Sequence, residues 1–119
     1  MKLFDLITRF DSLKSNQFTK EEKIAWVYEL DNKVNTILYE PYGVKQELET
    51  YAKDGHNVNL LIPDAFASVY IHWLESKADY FNSEIARYNN SLAVFSAEYA
   101  QFENWFVTHN KKPQKYFTV

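Results

Sequence analysis

The chain has 119 residues, with 13 Lys/Arg against 16 Asp/Glu and a formal net charge of −3. Hydrophobic residues at 46% and aromatics at 18% suffice for a real core in one domain, which excludes disorder as a whole-chain state. The absence of cysteine excludes disulfide frameworks and thiolate metal sites.

Residues 2–13 carry Leu3, Leu6, Ile7, Phe10 and Leu13, an i, i+3, i+4, i+7 pattern that predicts a short amphipathic helix. This opening also carries Asp5 and Asp11 and lacks a long apolar run, so it does not read as a signal peptide. Ser15, Asn16 and Gln17 break the helix. Thr19 with Glu22 three residues on forms a capping box for a second helix. Its expected buried stripe is Ile24, Val27, Leu30, Val34, Ile37 and Leu38, with Trp26 off that stripe and facing a neighbour. The helix should end near Tyr39, because Pro41 disfavours helix at Glu40.

Residues 40–60 are the least regular. Pro41-Tyr42-Gly43 and Asp54-Gly55 are turn signals. Val44 to Tyr51 fits a strand or a short helix, and Asp54-Gly55-His56-Asn57 hints at a hairpin. A long polar connection in a small domain is usually functional or mobile, and this loop is expected to reach a partner rather than fill the core.

Pro63 and Asp64 open the longest periodic stretch, with Asp64 as a cap. No Gly or Pro occurs between Pro63 and Pro113. Ile71, Leu74, Ala78, Phe81, Ile85, Tyr88, Leu92, Phe95, Tyr99, Phe102 and Phe106 follow in steps of three and four, the mark of one buried seam. Unbroken helix over 64–108 would measure roughly 65 Å at 1.5 Å per residue, too long for so small a domain to cover. A hairpin turning near Asn82-Ser83 is more economical, since Asn tolerates a left-handed helix end and Ser can cap the next helix. Asn89-Asn90-Ser91 is a second place where a turn fits.

His-Asn-Lys-Lys-Pro ends the helix after Thr108, and the closing Lys-Tyr-Phe-Thr-Val is strand-like in composition. Residues 1–108 hold ten basic and sixteen acidic residues, a balance of −6, whereas residues 109–119 add three lysines and no acid. These elements predict a mainly α fold: a small bundle of about four helices, a long irregular loop over 40–60 and an extended C-terminal tail. Residues 1–108 form one domain and 109–119 the tail. No run of about 18 apolar residues exists, so no membrane span is expected.

Nothing in this pattern positions a catalyst. His56, His72 and His109 lie in different local settings and form no metal-binding motif. His72 and Glu75, one turn apart, make two ligands at most. No Gly-x-Ser-x-Gly elbow is present, and Gly43 and Gly55 alone cannot build a phosphate loop. Glu47 with Glu49, and Asp79 with Glu84, are carboxylate pairs with nothing to place a sugar between them. The expectation is a protein with no enzymatic activity and no cofactor. The aromatic load is the unusual feature. Either it fills one aromatic-rich core, or part of it serves self-association, since Tyr and Trp bury area while keeping a polar handle. The candidate interface residues are Tyr42, Val44, Leu48, Tyr51, Tyr70, Tyr80, Trp105, Tyr116, Phe117 and Val119.

The wording of Leu60–Pro113 adds a further expectation. A Leu-Pro entry at Leu61 and Pro63 leads into Tyr70, Leu74, Asp79 and Tyr80. Asn82 and Glu84, Arg87-Tyr88-Asn89-Asn90, Phe95 and Tyr99 follow, then the exit Trp105, Thr108, His109 and Pro113. This combination resembles the C-terminal half of head-to-tail connector (adaptor, neck) proteins of tailed bacteriophages and prophages; Ser83 stands where such chains often place Gly. Residues 1–39, with Asn16, Thr19-Lys-Glu-Glu, Trp26 and Leu30, fit less strongly. The resemblance implies a helical virion protein without enzymatic activity. It implies a ring, commonly dodecameric, beneath the portal protein at the junction of capsid and tail. Its partners would be itself, the portal and a tail-side neck or tail-completion protein, with DNA passing through without specific binding. Abundant Asn, Lys, Tyr, Phe and Ile match the codons of a low-GC bacterium or its phage. The alternative is a small phage- or prophage-encoded helical adaptor or regulator binding another protein. A DNA-binding regulator fits poorly, because Asp5, Asp11, Glu21, Glu22, Glu29 and Asp31 oppose phosphate contact.

Overall fold

The structure is a computed structural model that describes residues 1–48 and 56–110. Among these, four α-helices form: α1 (Leu3–Leu13), α2 (Lys20–Val34), α3 (Ala67–Phe81) and α4 (Ile85–His109). The protein is mainly α and elongated, 58 × 34 × 22 Å. The hairpin signal at Asp54-Gly55 and the tail over 111–119 lie outside the described residues.

Helix α1 buries Leu3, Leu6, Ile7 and Phe10, as its spacing requires. Helix α2 begins at its cap: the Thr19 hydroxyl accepts a hydrogen bond from the Glu22 amide at 3.1 Å. Glu21 and Glu22 sit in the first turn and Lys33 in the last, each sign where the helix dipole favours it. The link between the two helices is a polar clasp. Lys23 is buried and donates to Asp11 at 2.7 Å and to the side-chain oxygen of Asn16 at 3.3 Å. The Asn16 amide in turn donates to Asp11 at 2.9 Å. Burial alone pushes the Asp11 carboxyl up, but hydrogen bonds from Lys23 and Asn16 and the charge of Lys23 outweigh it and hold the group below its ordinary value.

Two expectations for α2 change. Trp26 does not face a neighbour. It is buried, stacked on Phe81 with ring centroids 5.6 Å apart and met edge-on by Phe18 at 5.0 Å. Ile37 does not join the buried stripe and is 68% exposed. The helix widens into a π turn over Asn35–Tyr39, and the extra residue per turn swings Ile37 outward while Leu38 and Tyr39 stay buried. Glu40 also remains helical, at φ −59° and ψ −47°, despite the following proline. Pro41 lies at the start of a 3-10 turn, Glu40–Tyr42, where it need not donate an amide. Gly43 then closes the turn at φ 74°, a left-handed position glycine occupies at little cost.

The loop is tied to the bundle at both of its ends. The Asn35 side chain pairs with both backbone groups of Gln46, donating to its carbonyl at 2.7 Å and accepting from its amide at 2.8 Å. On the return, Lys2 and Asn59 form an isolated antiparallel bridge, with Leu3 N–H to Val58 at 2.9 Å and Leu60 N–H to Met1 at 2.9 Å. Leu60 and Ile62 are buried. At this end of the loop Leu60 joins the core and Val58 is half-buried, whereas His56, Asn57 and Asn59 stay exposed.

Beneath it lies Asp31, fully buried. The Tyr70 hydroxyl donates to Asp31 Oδ1 at 2.5 Å and accepts from the Ile62 amide at 2.9 Å. The Leu61 amide donates to Asp31 Oδ2 at 3.2 Å, and the Tyr39 hydroxyl donates to the Leu61 carbonyl at 2.9 Å.

Pro63 leads into a 3-10 turn, Asp64–Phe66, and the α-helix starts at Ala67. Asp64 makes no side-chain cap; its carboxylate meets the backbone nitrogen of Met1 instead. The long periodic stretch is a hairpin turning at Asn82-Ser83, but with other roles than expected: Asn82 stays at φ −87°, and no side chain caps α4. Ser83 N–H bonds Tyr80 O at 3.1 Å, and Glu84 N–H bonds Asp79 O at 2.9 Å, the two bonds of a Schellman ending. Ser83 occupies its left-handed position at φ 56°. Asp79, buried, pins the hairpin from inside: Lys14 Nζ lies 2.5 Å from Oδ1, and the Ser91 hydroxyl donates to Oδ2 at 2.6 Å. Higher up, His72 of α3 meets Glu98 of α4 at 2.9 Å.

Because the turn holds a non-glycine residue at positive φ, Ser83→Gly should stabilise the protein by roughly 0.5–1 kcal/mol, read as a raised urea midpoint with an unchanged slope. Burial, with help from Asp31 and Tyr99, lifts the Tyr39 phenol from 10.0 to about 12. A folded-state value above the unfolded one means that the neutral phenol contributes fully below pH 10, and this stability is lost as pH rises toward 12. Tyr39→Phe should therefore show a shallower fall in urea midpoint across that window than the wild type.

Candidate interaction surface

Aromatic side chains cluster at both ends of α4, with Trp73, Phe95 and Tyr99 running between along its middle. At the end away from the α3–α4 turn, Tyr39 stacks on Phe106 at 4.8 Å and Tyr42 meets the same ring edge-on at 5.2 Å. Phe66 contacts Phe102 at 5.5 Å and Trp105 at 5.4 Å, and Trp105 stacks on His109 at 4.8 Å. At the turn, rings run in a chain from Phe18 through Trp26, Phe81 and Tyr80 to Tyr88, each centroid 5.0–5.6 Å from the next. Packing at these distances favours tilted and offset rings.

The turn group is only partly covered. Tyr80 and Phe81 are each 56% exposed and Ile85 is 62% exposed. Beside them runs a groove of ≈ 290 Å³ lined by Trp73, Lys77, Tyr80, Phe81, Tyr88 and Leu92, among others. Lys77 holds its ammonium 4.7 Å from the Trp73 ring centre and 3.1 Å from Glu29, so one wall carries a neutralised cation against an aromatic face. An exposed apolar cluster with a concave centre is the usual form of a protein-binding surface.

The candidate interface residues do not form one surface. Tyr80 lies on the turn patch. Trp105 and Val44, exposed, and Tyr42 and Leu48, half-buried, lie away from it. Tyr70 is not a surface residue at all: it is fully buried, and its hydroxyl is spent on Asp31 and Ile62. Tyr51, Tyr116, Phe117 and Val119 lie outside the described residues. Phe81 and Ile85, read as parts of a continuous buried seam, are in fact exposed. The turn separates them, so the seam's register ends at Ala78 and resumes on α4, where Phe102 and Phe106 are buried.

Four of the groups weighed for chemistry, His72, His109, Asp79 and Glu84, have structural partners. His72 Nδ1 sits between the Ser68 carbonyl at 3.0 Å and Glu98, and His109 Nδ1 lies 2.7 Å from the Trp105 carbonyl. Asp79 is engaged by Lys14 and Ser91, and Glu84 pairs with Arg87 at 3.3 Å. Among the described residues no cluster of three or more His, Asp or Glu is placed to hold a metal, and no helix is long and apolar enough to cross a membrane. Compared with protein-family models, with curated proteins and with solved structures, the chain finds no match.

The same substitution at two tyrosines separates core from surface. Tyr70→Phe leaves Asp31 short of a donor and the Ile62 amide without its acceptor, and should cost about 2–4 kcal/mol. Tyr80→Phe should change stability by no more than about 0.5 kcal/mol. Urea denaturation of both variants measures the contrast, and equal costs would contradict it.

Proposed function

We propose that this chain is a structural virion protein of a phage or prophage neck, a homo-oligomeric ring between portal and tail that continues the DNA channel and docks the tail. The observation that carries the reading beyond the resemblance over Leu60–Pro113 is the placement of exposed apolar side chains on both ends of one long helix. Tyr80, Phe81 and Ile85 surround its start, and Trp105 and Val107 stand near its finish. A ring subunit needs two different faces, one for each neighbour, and a 58 Å body with an apolar surface at either end of α4 offers two. The acidic balance of residues 1–108 suits a channel wall past which DNA slides without adhering.

The second reading, a small helical adaptor that binds one other protein, draws on the groove beside the turn. It differs from the first in stoichiometry. Size-exclusion chromatography with light scattering, on the protein alone and mixed with the portal protein of the same phage, should give a ring, dodecameric if the resemblance holds, or a complex that forms on the portal. A strict monomer indifferent to the portal rules the neck reading out, and a low-order oligomer captured by one host protein favours the adaptor.

A further inference from the structure

The groove at the α3–α4 turn is open on one side, with aromatic walls and a polar share from Ser76 and Lys77. Trp73 is buried and Leu92 half-buried along its inner part, whereas Tyr80 and Phe81 stand exposed at its edge. At ≈ 290 Å³ it is at the lower limit of pockets that enclose a ligand, roughly 300–1,000 Å³. Its size and lining suit one or two aromatic side chains presented by another polypeptide.

The chain carries such a segment. Residues 111–119 read Lys-Lys-Pro-Gln-Lys-Tyr-Phe-Thr-Val, with adjacent rings at Tyr116 and Phe117, three lysines and no acid. The domain before it has a balance of −6, so segment and domain attract. Geometry decides whose segment can enter. Helix α4 runs away from the turn and ends at His109. At 1.5 Å per residue, Leu92 and Tyr88 lie about 27 and 33 Å back along the helix from Asn110. Chain at full extension covers at most about 3.6 Å per residue, so Tyr116 and Phe117 lie within about 22 and 25 Å of Asn110. At full stretch the Phe117 ring of the same chain reaches only the near part of the groove, at Trp73 and Leu92, and falls short of Tyr80 and Tyr88 at the turn.

We infer that the groove of one copy receives the Tyr116–Phe117 pair of a second copy, with Lys111, Lys112 and Lys115 against the acidic domain. The inference rests on the self-association in the proposed function and deepens it by naming the contact. Such a contact is heterologous: each copy gives a segment to one neighbour and accepts one from the other, which closes rings when the rotation permits.

Three full-length forms test it: the wild type, a segment variant with Tyr116→Ser and Phe117→Ser, and a groove variant with Tyr80→Arg. Tyr88→Arg serves as a second groove variant, and circular dichroism with thermal melting identifies those that keep the fold. Association is followed by analytical ultracentrifugation over a concentration range, alone and with the portal protein. The wild type is expected to associate, and each variant to associate about 100-fold more weakly, since central aromatic anchors dominate such contacts. An equimolar mixture of segment and groove variants keeps one intact contact per pair and should give a dimer. Association unchanged in folded variants, or a mixture that stays monomeric, overturns the tail-in-groove contact. If the wild type still forms a ring in that case, the neck reading survives without it. A wild type that is monomeric both alone and with the portal overturns both.

Discussion

One buried carboxylate organises this protein. Asp31 sits in the last turn of α2 with no exposure to water, and a carboxyl group so placed is tolerated only if its hydrogen bonds are met by the surrounding structure. Tyr70 of α3 and the backbone at Leu61 meet them, while Tyr39 fastens the same stretch of backbone from the π turn. Three parts of the chain that are far apart in sequence are thereby fixed in one register. Hydrophobic contact alone tolerates small slides between helices, but a carboxylate with directional partners does not. The placement of α3, and with it of the whole α3–α4 hairpin, follows from this arrangement. Lys14, Asp79 and Ser91 repeat the device on a smaller scale and set the start of α4 against the end of α1.

Much of this was legible in the sequence, and the errors have identifiable physical causes. The Thr19 cap, the amphipathic first helix and the turn at Asn82-Ser83 are local features, and local chemistry decides them. What the sequence hid depends on tertiary contact. Tyr70 and Tyr80 are ten residues apart on one helix, and nothing in either neighbourhood says that one reaches a buried Asp thirty-nine positions earlier. Ile37 was misread because a π turn shifts helical phase without any proline or glycine to announce it. Phe81 and Ile85 were misread because counting threes and fours runs through a turn as if it were helix. At the candidate surface, Tyr80 was recoverable from the excess of aromatics, but the groove beside it needs residues from both helices and has no linear signature.

The aromatic load therefore has two uses. Tyr39, Phe102 and Phe106 bind the far part of α4 to the π turn, whereas the chain from Phe18 to Tyr88 begins in the core and ends in water. A ring series that emerges at the surface links core and surface mechanically: whatever covers Tyr80 and Phe81 also presses on Trp26, which Phe81 stacks against. Occupancy of the turn patch is thus connected to the packing of α2.

The clasp between Asn35 and Gln46, together with the bridge between Lys2 and Asn59, brackets the chain between them. Asn57 and Val58 add bonds to the amides of Phe4 and Leu3 beside the second anchor; for a connection so held, doubling its length costs only about 0.6 kcal/mol. That bracket is a site at which evolution, or an engineer adding an epitope, can lengthen the chain while the two anchors hold the fold.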